Sequence, residues 1–206
     1  MKVRAVNCYP ASSATFPGFL CVLLFIIICG VFPVQADTPK APTVTRLGNG
    51  PIIVPDMDAR MGSNIQGPSL IRVPDWIDNP LGKYYLYFAD HRGTYIRLAY
   101  ADQLTGPWTM HEAGSLRLED SFFPATCPPC SPNAGSNAAL YAHIASPDVH
   151  IDDENQQLIM YIHGRDVGRQ LSRLALSKDG LHFAGRPEVL GKPYFRVIEH
   201  GGYHYA

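Results

Sequence analysis

Carboxylates, imidazoles and guanidiniums recur at the ends of short apolar runs in this chain: Asp90 and His91 with Arg92 behind them, His143 and Asp148, His163 and Arg165, and further on Arg196. Carboxylates accept hydrogen bonds, guanidiniums donate them, and neutral imidazoles do both. The amides of Asn64 and Gln66 lie near the first such run and add further donors and acceptors. A polyhydroxylated ligand presents many directional hydroxyl groups, and this mixture of side chains suits one. Asp90, His91, His143, Asp148, His163, Arg165 and Arg196 are therefore the candidate binding residues. Plainer roles compete at several positions. Asp90 and Asp166 follow apolar runs, where an aspartate commonly caps a turn through backbone N–H groups. His150 and His182 fit packed or edge positions, and His111 beside Glu112 a solvated one. Arg97 and Arg173 stand at equal places in two similar stretches, which favours a shared structural role.

The elements that must position these groups come from a repeat. One copy runs from Gly67-Pro68-Ser69-Leu70-Ile71 through Tyr84-Tyr85-Leu86-Tyr87-Phe88 to Arg97-Leu98-Ala99-Tyr100-Ala101, and closes on Trp108. A second runs from Ser146-Pro147-Asp148-Val149-His150 through Leu158-Ile159-Met160-Tyr161-Ile162 to Arg173-Leu174-Ala175-Leu176-Ser177, and closes on Phe183. A third start, Pro193-Tyr194-Phe195-Arg196-Val197, is followed by a Gly201-Gly202 turn and Tyr203-His204-Tyr205. Short apolar strands separated by Gly, Pro, Asn and Asp turns are an all-β pattern. Repetition on this scale predicts a β-propeller, incomplete here, with about two and a half blades present. Blade one covers about 64–118, a loop insertion about 119–142, blade two about 143–191, and the start of blade three 192–206. In a propeller the starts of the innermost strands and the turns after the second strands share one rim. That places Asp90-His91-Arg92 and His163-Gly164-Arg165-Asp166 at matching places beside His143, Asp148 and Arg196.

Residues 1–36 read as a signal peptide, with Lys2 and Arg4, an apolar run from Phe19 to Phe32, and Val34-Gln35-Ala36 for the peptidase. The expected location is therefore periplasmic or extracellular, with membrane contact only through an uncleaved leader. Residues 37–63 form an extended lead-in, with a short strand at Ile52-Ile53-Val54. The formal net charge is −1 and no basic stripe runs along the chain, so nucleic acid is not an expected partner. Cys127 and Cys130 are disulfide candidates on an exposed loop. They have neither the βαβ context of a redox pair nor the second ligand pair of a zinc site, and no cofactor or metal is expected. Asp152-Asp153-Glu154-Asn155 is a solvated turn, because it lacks the central glycine and distal ligand of a calcium loop.

The stretch His143-Ile144-Ala145-Ser146-Pro147-Asp148-Val149 resembles the Ala-Pro-Asp-Val segment of arabinanase-like, five-bladed propeller glycoside hydrolases, family 43 and its relatives. The run Leu98-Ala99-Tyr100-Ala101-Asp102 through Thr105-Gly106-Pro107-Trp108 is similar to their recurrent outer-strand pattern, and Ser177-Lys178-Asp179-Gly180-Leu181-His182-Phe183 to the equivalent strand of later blades. The resemblance implies a sugar-binding funnel and an oligo- or polysaccharide partner. It also implies a missing catalytic pair. Glycosidases need two carboxylates flanking the bond. The family's general base is the Asp of an Asp-Pro-Ser triplet, and here that triplet is Gly67-Pro68-Ser69. The family's acid, a Glu, belongs to a later blade beyond Ala206, and its pKa-modulating Asp corresponds to the Tyr194-Phe195-Arg196 stretch. The expectation is an exported, truncated, glycoside hydrolase-like protein that is inactive as it stands. A non-catalytic glycan-binding propeller and a fragment without function are the alternatives.

Overall fold

A computed structural model describes residues 41–46, 48, 50–126, 141–166 and 169–206. The leader segment and the cysteines Cys127 and Cys130 lie outside the described residues. Residues 44–206 cluster as one compact unit, apart from residues 1–43.

The compact unit is all-β, as the turn and strand pattern predicts. Its described helical turns are the 3-10 turns Pro55–Met57 and Leu118–Asp120. Strands β1 (Ile65–Arg72), β2 (Tyr84–Asp90), β3 (Tyr95–Ala101) and β4 (Thr109–Arg117) form an antiparallel sheet in chain order. Strands β5 (Ile144–Asp152), β6 (Gln157–Asp166), β7 (Arg169–Ser177) and β8 (Ala184–Gly185) form a second sheet in the same order. Strands β9 (Ile198–His200) and β10 (Tyr203–Tyr205) make a separate hairpin. Neither large sheet closes into a barrel.

The sheets pack face to face because their central strands are apolar on both sides. Along β2, Tyr85, Tyr87 and Ala89 join a core with Leu158, Met160 and Ile162 of β6 and with Phe183. The alternate residues Leu86 and Phe88 join Met61, Ala99 and Trp108 in a second cluster, against which Ile53 packs. Each large side chain buried this way contributes about 1.5–3 kcal/mol. The strand expected at Ile52–Val54 does not form. Those residues bend and lead into the turn at 55–57, because Ile53 contributes packing rather than a ladder partner.

Successive repeats are joined by equivalent hydrogen bonds. In β1 and β5 the ladder slips at the same place, between Gln66 and Ser69 and between Ala145 and Asp148. Gly67 and Ser146 begin these bulges with φ of 63° and 50°, and Tyr194, at the matching place in the third start, has φ of 69°. Two residues after each bulge's first residue, a side chain accepts from the backbone of the next repeat. Ser69 Oγ accepts from the Val149 N–H, and Asp148 Oδ2 from the Val197 N–H, each at 2.8 Å. Ser69 and Asp148 are repeat equivalents, and so are Val149 and Val197. The first sheet thus meets the second, and the second the segment after Pro193, through a hydrogen bond at the same repeat position.

Candidate functional site

The strand ends bring His91, His143 and His163 into one row of rings. His91 follows β2, His143 immediately precedes β5, and His163 lies within β6. The same backbone contact sets the first two levels: the His91 N–H donates to the Asn64 carbonyl (3.0 Å) and the Arg165 N–H to the His143 carbonyl (3.4 Å). His91 stacks on His143 at 6.5 Å between centroids, and His143 meets His163 edge-on at 5.8 Å. Tyr141 closes one side, 4.8 Å from His143, with the Arg92 guanidinium 5.2 Å from its ring centroid. Tyr194 closes the other, 4.3 Å from His163. Gln66 Nε2 donates to His91 Nδ1 at 3.0 Å.

His143 and His163 are each only 1% exposed. His143 Nδ1 donates to the Tyr141 carbonyl at 3.1 Å, but its Nε2 and both ring nitrogens of His163 have no partner among the described residues. Buried polar atoms are normally paired, and these enclosed nitrogens share their exception with Arg97 Nε and Nη1 and Arg173 Nε. Burial, then His143, His91 and Arg196, push the His163 imidazole down to about 4. Burial also lowers His143, with His91 and then Arg165 adding to the effect and the Tyr141 carbonyl opposing it. Both rings are neutral at pH 7, each able to donate from one nitrogen and accept at the other.

Asp90, Asp148 and Arg196 serve the fold. The Asp90 carboxylate accepts from the N–H of Asn64 (3.1 Å) and of Arg92 (2.9 Å), the turn-capping role weighed above. Asp148 is held by the Val197 N–H, by His150 Nε2 at 2.9 Å, and by Arg196 at 3.8 Å. Arg196 also donates to the Pro147 carbonyl at 2.8 Å. Strand register revises the matching of the rim turns. Asp90 pairs with Ile65 as Gly164 pairs with Ile144, so Gly164 is the counterpart of Asp90, and His163 that of Ala89. The second hairpin is longer, its ladder continuing through Arg165↔Gln170 and Asp166↔Arg169. Arg97 and Arg173 share a buried place: each lies by an aromatic ring, Tyr95 or Phe123, and donates to a backbone carbonyl, of Arg60 or Pro187.

Neither Tyr141 nor Tyr194 is among the candidate binding residues that the sequence offers. Tyr141 ends the stretch read as an insertion, and its nearness in sequence to His143 was the available signal. Among the described residues no group of three or more His, Cys, Asp or Glu is placed to hold a metal ion, and no helix is long and apolar enough to cross a membrane. A cleft of about 390 Å³ lies between the β5–β6 hairpin and β9–β10, lined by His150, Asp152, Tyr161, Val197, Glu199 and His204. Asp152 there is engaged by Asn155 and Gln157 within its own turn.

The chain is similar to an uncharacterized protein of Acanthamoeba polyphaga mimivirus, 36% identical over 156 residues. That match takes in 69% of this chain and 41% of the viral protein's length. No protein-family model matches the chain, and no solved structure does.

Proposed function

We propose that this chain is part of an exported β-propeller that binds a glycan on the His91–His143–His163 row without cleaving it. The observation that carries the reading is the row itself: the exposed ring of Tyr194 and the half-buried Tyr141, His91 and Gln66 lie around the buried imidazoles of His143 and His163. Aromatic faces receive the apolar face of a sugar ring, while convergent polar atoms select its hydroxyl groups. The propeller rests on the equivalent bonds Ser69–Val149 and Asp148–Val197, since blades related by rotation repeat their contacts. Export rests on the basic start and apolar run of residues 1–36.

Binding is favoured over hydrolysis by Gly67. A Cβ at this position would lie 2.6 Å from the Ser146 Cα, and φ is +63°. The backbone that brings the two bulges together thus has no room for the aspartate that the resembling hydrolases carry here. Asp90 and Asp148, meanwhile, are engaged by backbone N–H groups. Screening the chain against a glycan panel, for both binding and release of reducing ends, tests the proposal. Binding without release is expected, weakened by about tenfold or more in Tyr194→Ala, a loss near 1.4 kcal/mol. Hydrolysis by the chain, or binding indifferent to Tyr194, would overturn it.

A further inference from the structure

We propose that the glycan is acidic, carrying carboxylate or sulfate groups, and that Arg92 and Arg165 bind those groups. The inference rests on the glycan reading above and narrows it to a substrate class.

The argument begins with an inventory of charge around the row. Its carboxylates are already engaged: Asp90 by two backbone N–H groups, Asp148 by Val197, His150 and Arg196, and Asp166 by Arg173 at 3.6 Å. The guanidiniums are less so. Among the described residues neither Arg92 nor Arg165 belongs to an ion pair. Arg92 lies over the Tyr141 ring, and Tyr141 in turn touches His143 and His91. Arg165 occupies the rim position that His91 holds in the first repeat, its N–H on the His143 carbonyl. Arg92 and Arg165 thus stand beside the imidazole row, while among the described residues the carboxylates of Asp90, Asp148 and Asp166 have partners of their own.

A neutral sugar covering this surface would remove water from two guanidiniums and return no acceptor of matching strength, a costly exchange. An anionic substituent reverses the balance. The planar guanidinium fork matches carboxylate and sulfate oxygens with two parallel charge-assisted bonds, roughly twice as strong as neutral ones. The imidazoles and tyrosines remain for the sugar ring. A phosphodiester chain is a poorer fit, because the cations form a short bracket rather than a track and the whole chain is slightly acidic.

The experiment is calorimetric titration of the full chain with matched ligands: an oligogalacturonate and its methyl ester, a carrageenan oligosaccharide and its desulfated form, and a single-stranded oligothymidylate. At least one acidic form should bind about tenfold or more tightly than its neutral counterpart, and should weaken as salt rises from 50 to 500 mM. Arg92→Gln and Arg165→Gln should each erase most of that preference, whereas Arg72→Gln, at the exposed far end of β1, should not. Equal binding of acidic and neutral forms would overturn the anionic inference and leave the glycan reading standing. Binding of no saccharide by protein with a native melting transition would overturn both. Tighter binding of the oligonucleotide than of every saccharide would assign the cations to phosphate and overturn the proposal. The salt dependence is read on the native chain, so it holds even if a variant misfolds.

Discussion

His163 is enclosed between His143 and Tyr194, with its imidazole pushed down to about 4 from the ordinary 6.5. In the unfolded chain the ring takes up a proton near its ordinary value, whereas the folded protein resists protonation until pH is much lower. Its contribution to stability is present above about pH 6.5 and is lost as pH falls toward 4. His143 is lowered as well and acts in the same direction. The melting temperature should therefore decline from pH 6.5 to pH 4, and His163→Phe, which keeps a ring between its neighbours, should flatten that decline. Thermal melts across this range are the check, and an unchanged slope in the variant would show that another group controls it.

At the scale of elements, the bulges of β1 and β5 are the joints on which the repeat turns. Asp148→Ala removes the acceptor for the Val197 N–H and leaves a buried donor without a partner, at a cost of about 1–3 kcal/mol. Asp148→Asn keeps an oxygen there and should cost less, losing only the charge shared with His150 and Arg196. Hydrogen exchange should show faster opening of residues 194–205 in the alanine variant, while β2 and β3 stay protected. Gly67→Asp provides a second test. Restoring the carboxylate of the resembling hydrolases forces a side chain against the Ser146 backbone at positive φ, with strain of about 1–3 kcal/mol. The variant should melt earlier and release no reducing sugar. Recovered hydrolysis would mean that the bulges move apart more easily than their contact implies.

Across the whole molecule, the two sheets are joined by a shared core and by a few bonds that cross it. The Tyr87 hydroxyl, fully buried, donates to the Gly180 carbonyl at 2.9 Å. The Phe183 N–H donates to the Ser115 carbonyl at 2.9 Å, and Trp76 Nε1 to Asp153 Oδ1 at 2.8 Å. Tyr87→Phe should lower stability by about 1 kcal/mol, since it removes the bond while keeping the ring. Urea unfolding should retain a single transition, because Tyr87 packs edge-on against Phe183 across the core and couples the sheets. A split transition would show that each sheet holds its fold alone. The hairpin β9–β10 differs from both sheets: Ile198 is 64% and Tyr203 66% exposed. Apolar side chains at this exposure contribute little to the stability of the unit as it stands.

The sequence by itself determined the secondary-structure class. Short apolar runs such as Tyr84–Ala89, separated by Gly, Pro, Asn and Asp turns, are an all-β pattern, and the strands follow it. It also marked the repeat, because Gly67-Pro68-Ser69 and Ser146-Pro147-Asp148 share the bulge that proline tolerates in a strand. Only the tertiary structure decided which polar groups remain for a ligand. Asp90 and Asp148 carry the right chemistry for a site, but backbone N–H groups contributed by Asn64 and Val197 engage them. The turn cap from Arg92 to Asp90 is local and legible, whereas Asn64 and Val197 are remote in the chain and no local pattern announces them. The same holds for Tyr141 and Tyr194, which flank the imidazoles only after the repeats have packed. Strand patterns are local and survive in the order of residues, whereas a hydrogen-bond partner is settled by where the backbone of the next repeat comes to rest.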